Sequence, residues 1–303
     1  MMGTGDARAD ASLAPSLHVG IVGLGLIGGS FARAYRAAGA EVYAFDIDGD
    51  ILEAARVDTI AGVLDDDALG KLDIVVLAAY PLACIAWLKE HAAALAAASD
   101  VPAGTGPLVI DTAGVKSTIC AEAFKLAQDH GFAFLGTHPM AGTEHSGFAY
   151  ARADLFKGAP MVLVPPAIGD LERLRLLDRA HTLLSPLGFG SFSVTTPEDH
   201  DRVIAFTSQL AHIVSNAYVK SPTAQGHHGF SAGSYRDLTR VAHLNPTMWA
   251  ELMCENAKNL ISELTGLIDA LDGYRSTLSA GDQDRLRMLL AEGDRIKRSL
   301  DDD

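Results

Sequence analysis

The chain has 303 residues, 49% of them hydrophobic, and its 24 Lys and Arg against 38 Asp and Glu leave a net charge of −14 with His neutral. That length fits about two domains with a sizeable core. So acidic a surface repels phosphate backbones and anionic lipid, which argues against nucleic acid or a membrane as partner and leaves room for a small anion held by local cations. Cys84, Cys120 and Cys254 form no CxxC pair and no Cys/His cluster. No disulfide framework and no metal is expected, and a reducing, cytoplasmic setting fits.

In chain order, residues 1–16 are rich in Ala, Gly, Ser and Asp without periodicity, and read as a mobile tail rather than a secretory leader. Short apolar runs follow at 17–22, 41–46, 73–79, 108–111, 132–136 and 161–164, with helix-like stretches such as 30–38 and 51–56 between them. Strands alternating with helices predict a mostly parallel sheet covered on both faces. The longest apolar run, 74–88, is broken by Pro81 and is too short to span a bilayer. Near Pro197 the character changes. Residues 203–220 read as one helix, apolar nearly all round and hence buried. Asn245-Pro246 supplies a cap and a first helical position for a helix continuing toward Leu271, and 283–300 is a last amphipathic helix. The expectation is an α/β domain of Rossmann type over 17–197 and an all-helical domain over 198–303, without a third, regulatory module.

The first chemical motif is Gly23-Leu24-Gly25-Leu26-Ile27-Gly28, at the exit of the first strand. In a G-x-G-x-x-G turn Gly23 permits the tight bend, Gly25 lets the backbone approach a pyrophosphate, and Gly28 lets helix pack on sheet. The N–H groups of the helix start, Leu26 and Ile27 among them, face the phosphates. Asp46 ends the second strand 23 residues after Gly23, where a carboxylate accepts from both ribose hydroxyls of an adenosine and repels a 2′-phosphate. Ile47, Asp48, Gly49 and Asp50 include no Lys or Arg, so NAD is expected rather than NADP.

A second cluster runs from Gly136 to Gly147 and contains His138-Pro139-Met140-Ala141-Gly142-Thr143-Glu144. A His at a strand end can take a proton from a hydroxyl as hydride leaves the same carbon; on spacing alone, a histidine making structural hydrogen bonds fits as well. On the 203–220 helix Ser208, His212 and Ser215 recur at i, i+4 and i+7, with Gln209 beside them. Such a polar stripe faces a wet pocket, or else a satisfied network or a dimer contact, with the pocket favoured. Arg240, shortly before Asn245, is suited to grip a carboxylate, though for an isolated arginine pairing with a neighbouring acid is the favoured reading.

Together these segments resemble the prephenate dehydrogenase family, which includes the arogenate dehydrogenases. The matching pieces are Gly23 to Ser30, Asp111-Thr112-Ala113-Gly114-Val115-Lys116, His138-Pro139-Met140-Ala141-Gly142, the helix around 208–212, and Asp237-Leu238-Thr239-Arg240 followed by Asn245-Pro246-Thr247-Met248-Trp249. The resemblance implies oxidation of prephenate by NAD with loss of CO₂ to give 4-hydroxyphenylpyruvate, or the corresponding reaction of arogenate. It implies that His138 deprotonates the ring hydroxyl, that Arg240 clamps a substrate carboxylate, and that Ser208 and His212 touch substrate. It places Thr143 and Glu144 at the mouth of the site and makes the helical domain a homodimer interface.

This chain departs from the family pattern in three places. Gly114 stands where many members have a serine that bonds the catalytic His; Thr112, Ser117 or a water is then a candidate substitute. Gln209 and Ala211 stand where a His and a Pro are common, which bears on the choice between prephenate and arogenate. A β-hydroxyacid dehydrogenase would need an acid/base lysine early on the long helix, and Lys220 lies at its far end. A non-catalytic NAD-responsive binding protein would have no use for His138, Arg240 and His212 together.

Overall fold

The computed structural model describes residues 17–99, 106–143, 145–226, 229–230 and 232–301; the tail expected over 1–16 lies outside the described residues, as does Glu144. The first part of the chain forms β1 (His18–Val22), α1 (Leu26–Ala37), β2 (Glu41–Phe45), α2 (Gly49–Arg56), β3 (Gly62–Val63), α3 (Asp66–Leu69), β4 (Ile74–Leu77), α4 (Pro81–Ser99), β5 (Leu108–Asp111), α5 (Ser117–His130), β6 (Ala133–Pro139), β7 (Pro160–Val164), α6 (Asp170–Leu184) and β8 (Ser191–Val194). The eight strands form one sheet in the order β3-β2-β1-β4-β5-β6-β7-β8. The strands from β3 to β6 are mutually parallel, β7 runs antiparallel to β6, and β8 is parallel to β7. The order reverses between β1 and β4, and such a switch point opens a ligand crevice at the carboxyl ends of the strands.

The central strands are apolar throughout because helices cover both faces. Ile74 and Val76 of β4, with Leu108 and Ile110 of β5, join a core on one side of the sheet that contains Phe31, Tyr35 and Phe156. Val75, Leu77 and Val109 point the other way, to Trp87, Leu88 and Ile119. β6 is longer than the expected 132–136. Beyond Leu135 it leaves β5 and pairs with β7, Gly136 opposite Val164 and His138 opposite Val162, so the ladder carries the strand on to Pro139. β3 and β8 had no apolar signal: β3 is two residues long, and β8 is an exposed edge strand with only Phe192 partly buried.

The chain divides into a unit ending at His200 and a unit beginning at Asp201. The boundary falls inside α7 (Pro197–Ile204). Next come a π-helical turn (Ala205–Leu210), α8 (Ala211–Tyr218), α9 (Gly233–Thr239), α10 (Pro246–Glu255), α11 (Ala257–Ala280) and α12 (Gln283–Asp301). Among the described residues, the second unit contains no strand. Its core is small: Ala205, Leu210 and Leu260, packed with Ile213, Val214, Met253, Leu264 and Leu267.

The helices differ from expectation in two places. The single buried helix over 203–220 is instead α7, the π turn and α8, and it is not buried all round, since Val203 is 46% and Phe206 60% exposed. The helix from Asn245 toward Leu271 breaks at Asn256, whose φ of −106° and ψ of 22° leave the helical region. The break frees the Asn256 amide to donate to the Asp201 carbonyl and to Gln209 Oε1, both at 2.8 Å. Asn245 accepts from the N–H groups of Thr247 and Met248, the cap its sequence context predicts.

Candidate functional site

The glycine loop is shaped by backbone contacts that a side chain would prevent. Gly23 has φ +90°, and a Cβ there would lie 2.8 Å from the Ala78 carbonyl oxygen; a Cβ on Gly28 would lie 1.9 Å from the Gly23 oxygen. A Cβ on Gly25 would meet nothing within 4 Å. The open side of the loop is thus at Gly25, where α1 begins. No side chain caps α1 and no acid sits in its first turn, so the N–H groups at Leu26 and Ile27 present the positive end of the helix to an anion. Asp46 braces the loop: its Oδ2 accepts from Leu24 N–H at 2.6 Å and its Oδ1 from Asp48 N–H at 2.9 Å. Each oxygen keeps a lone pair for a further donor. An uncapped helix start, an open glycine and a carboxylate at the end of β2 fit a dinucleotide.

His138 lies on the antiparallel half of β6, next to Thr137, which a buried ion pair holds. Lys116 and Asp111 both have fully buried side chains and pair with each other. Lys116 Nζ also donates to the Thr137 carbonyl at 2.6 Å. Asp111 accepts from the N–H of Ala113 at 2.9 Å and of Thr137 at 3.1 Å, and its carbonyl accepts from the Thr137 hydroxyl. Thr137 is therefore held at N–H, C=O and hydroxyl, which sets the backbone that carries the next residue. Thr112 has its hydroxyl turned to the Leu77 carbonyl at 3.3 Å. The ring partner of His138 is His200: Nδ1 of His138 lies 2.9 Å from Nε2 of His200, with the rings edge to face. Nearby, burial pushes the Cys84 thiol up to about 12, which leaves no thiolate nucleophile there at neutral pH.

The segment after His138 is tied to the glycine-loop helix. A Cβ on Gly29 would lie 2.7 Å from the Phe148 ring and 2.8 Å from Ala151 Cβ. The Ser30 hydroxyl accepts from Arg152 N–H, and the Arg33 guanidinium donates to the Ala151 carbonyl and lies 4.7 Å from the Phe148 ring centre. Within that segment Thr143 is exposed and accepts from His145 N–H at 3.3 Å, and His145 stacks on Tyr150.

In the second unit, the π turn carries Ser208 and Gln209. The Ser208 carbonyl accepts from His212 Nδ1 at 2.9 Å, which leaves Nε2 as the acceptor of the neutral ring. The His212 ring packs on Trp249, centroids 4.0 Å apart. Gln209 was expected to face a pocket, but it is 2% exposed and its amide is spent on the helices behind it. Nε2 donates to the Leu252 carbonyl, and Oε1 accepts from Asn256. Its burial follows from the π turn, which rotates it away from the Ser208–His212 face. One turn beyond His212, Asn216 donates to the Ala242 carbonyl at 3.2 Å, which ties the end of α9 to α8. Arg240 closes α9, is exposed, and has no ion pair among the described residues. Among the described residues no cluster of three His, Cys, Asp or Glu side chains could hold a metal ion, and no helix is long and apolar enough to cross a membrane.

His200, Asn256, the packing of Trp249 on His212 and the Arg33 contacts are not foreseen by the sequence. For His200 a signal was present: Thr196-Pro197-Glu198 is a cap, a first-position proline and an N-terminal acid, which together place His200 in a first helical turn.

A Rossmann unit with an open glycine loop, a histidine on β6 toward the same carboxyl end of the parallel strands and a further helical unit are the parts of a dinucleotide-dependent oxidoreductase. Residues 31–185 match the family model described as prephenate dehydrogenase, nucleotide-binding domain, and residues 196–292 the one described as prephenate dehydrogenase, dimerization domain. The chain belongs to the prephenate dehydrogenase family. It is 31% identical to the cyclohexadienyl dehydrogenase of Zymomonas mobilis, over 94% of this chain and 97% of that one. The solved prephenate dehydrogenase of A. aeolicus in complex with hydroxyphenyl propionate and NAD⁺ is 28% identical with a TM-score of 0.73, over 95% of this chain and 99% of that one. The Synechocystis arogenate dehydrogenase is 28% identical with a TM-score of 0.72, over 93% and 100%.

Proposed function

We propose that the protein oxidises prephenate with NAD⁺, releasing CO₂ and forming 4-hydroxyphenylpyruvate. The observation that supports this reading is His138 on an extended β6, its Nδ1 within 2.9 Å of His200 Nε2, at the carboxyl end of the parallel sheet where β1 also leads into the glycine loop. Gly25, the N–H groups of Leu26 and Ile27, and Asp46 would hold the dinucleotide. The acid at Asp46, with no basic residue following it, favours NAD over NADP. When bound, NAD⁺ supplies the acceptor for hydride from the hydroxyl-bearing ring carbon. His138 takes the hydroxyl proton at Nε2. CO₂ leaves the opposite ring carbon, its electron pair completes the aromatic ring, and the proton returns from His138 to the ring oxygen. Arg240 supplies the charge for a substrate carboxylate, Ser208 and His212 contact the substrate, and Thr143 and Glu144 border the entrance.

The same family membership allows arogenate as substrate, which differs in its side chain. With Gln209 buried in a helix network, side-chain recognition falls to other residues. The α11 positions Ile261, Ile268, Leu271 and Leu278, spaced 7, 3 and 7, are 49–64% exposed and form an apolar stripe for a second copy of the chain. A homodimer through this unit follows. The free thiols of Cys84, Cys120 and Cys254 suit a reducing cytoplasm.

The test is NADH formation by purified protein with NAD⁺ and prephenate, then arogenate, then NADP⁺ in place of NAD⁺. Turnover of prephenate with NAD⁺ is the expected result. Turnover of arogenate alone moves the substrate assignment, and no turnover of either refutes the reading.

A further inference from the structure

We infer that His200 is the positioning residue of the reaction, selecting the ring tautomer of His138 that can act as a base; this rests on the proposed oxidation. Between Nδ1 of His138 and Nε2 of His200, at 2.9 Å, there is room for one proton. If it belongs to His200, His138 carries its own proton at Nε2 and has no lone pair to offer at that edge of the ring. If it belongs to His138, Nε2 of His138 is the base. His200 then accepts at Nε2 and holds its own proton at Nδ1. Only the second arrangement serves catalysis. When His138 takes the substrate proton, its Nδ1–H bond to His200 becomes charge-assisted and strengthens. The acceptor thus favours the charged state that forms during the reaction over the neutral one before it.

The fold holds His200 in place for this. It is 3% exposed. The Thr196 hydroxyl accepts from Asp199 N–H at 3.2 Å, and the Thr196 carbonyl accepts from His200 N–H at 3.0 Å, so α7 starts at a fixed point. Thr195 N–H donates to the Leu163 carbonyl at 3.0 Å, which ties that start to β7, the strand paired with His138. Gly114 has no side chain with which to orient the ring.

The experiment compares wild type, His200→Phe and His200→Gln by long-range ¹H–¹⁵N spectra of the histidine rings and by steady-state kinetics. Wild type is expected to show His138 protonated at Nδ1. His200→Phe should lose that preference and lower kcat by about 100-fold or more, with KM for NAD⁺ unchanged. His200→Gln, whose amide oxygen can accept from Nδ1–H, should restore the tautomer and most of kcat. If the Phe variant fails to fold, His200→Asn, whose amide is too short to reach, takes its place. An unchanged tautomer and kcat in the variant without an acceptor overturns the inference. If wild type turns over neither prephenate nor arogenate, the proposed function fails, and the tautomer spectra alone decide the pairing.

Discussion

The pair of Asp111 and Lys116 binds Thr137, the residue before His138, and Lys116→Met measures what it holds. Met keeps most of the stem volume and removes the charge. Two groups are then left wanting. The Asp111 carboxylate still accepts from Ala113 and Thr137 N–H but has lost its counter-charge, and the Thr137 carbonyl has lost the donor at 2.6 Å. With both side chains fully buried, water does not replace either partner. Removing one member of a buried pair costs about 3–5 kcal/mol, against a total stability of about 5–15 kcal/mol. At about 2–4 °C per kcal/mol for a unit of this size, the melting point should fall by about 6–20 °C. Urea unfolding followed by the fluorescence of Trp87, in a Trp249→Phe background, reads the first unit separately.

A companion variant separates charge from packing. Asp111→Asn with Lys116→Met removes both charges and keeps one oxygen to accept an N–H, so it should recover half or more of the loss. A single-variant cost below about 1 kcal/mol would mean that the pair is no more than a surface-like contact. A double variant as unstable as the single would mean that the lysine stem, not its charge, holds the site. Because Thr137 is bonded on three sides to these two residues, Lys116→Met should also lower kcat while leaving KM for NAD⁺ nearly unchanged.

Gly25→Ala should leave the melting point unchanged and weaken NAD⁺ binding by more than about tenfold, because its Cβ has open space in the protein but not beneath a pyrophosphate; Gly28→Ala should lower both, because its Cβ strikes the Gly23 oxygen. Asp46→Ser should lower kcat/KM for NAD⁺ by about 10- to 100-fold, the worth of a charged hydrogen-bond acceptor, and narrow the gap to NADP⁺; an unchanged NAD⁺/NADP⁺ ratio would count against the ribose role. Arg240→Lys should lower kcat/KM for substrate, and Arg240→Ala by about 10- to 100-fold, with KM for NAD⁺ unaffected in titrations of each ligand. Burial, then the charges of Glu251 and Asp201, raise the Glu255 carboxyl above its ordinary value. A raised carboxyl binds its proton more tightly folded than unfolded, so its stabilising effect is present at acid pH and is lost as pH rises through the folded value. Glu255→Gln should therefore stabilise at pH 7 and lose that advantage below the ordinary carboxylate range; a melting-point difference that does not depend on pH would refute the assignment.

What could be read in the sequence was what local chemistry encodes. The central strands announce themselves by continuous apolar runs, and the glycine loop and Asp46 by spacing within one βαβ unit. Asn245 declares itself as a cap because the cap and the groups it satisfies are neighbours in the chain. The failures share a cause. The extension of β6 to Pro139 depends on β7, more than twenty residues on. The break at Asn256 depends on partners at Asp201 and Gln209, about fifty residues back. Helical periodicity put Gln209 beside a pocket-facing stripe of Ser208, His212 and Ser215, but a π turn adds a residue to the local repeat and Gln209 is buried. Long-range hydrogen bonds overrode local pattern each time.

The edge of the sheet shows why that matters for chemistry. A parallel strand that ended at Gly136 would leave His138 on a loop, free to turn its ring. Pairing Gly136–Pro139 with β7 makes His138 part of a ladder, with its position set by Val162 opposite. The same β7 then pairs on its other edge with β8, whose end leads through Thr195 and Thr196 into the helix start that carries His200. One antiparallel strand therefore fixes His138 through its first edge and leads to His200 through its second. β8 is short and mostly exposed, with only Phe192 packed on the core. Its contribution to the fold is positional: it leads the chain to the point beside β7 where α7 begins.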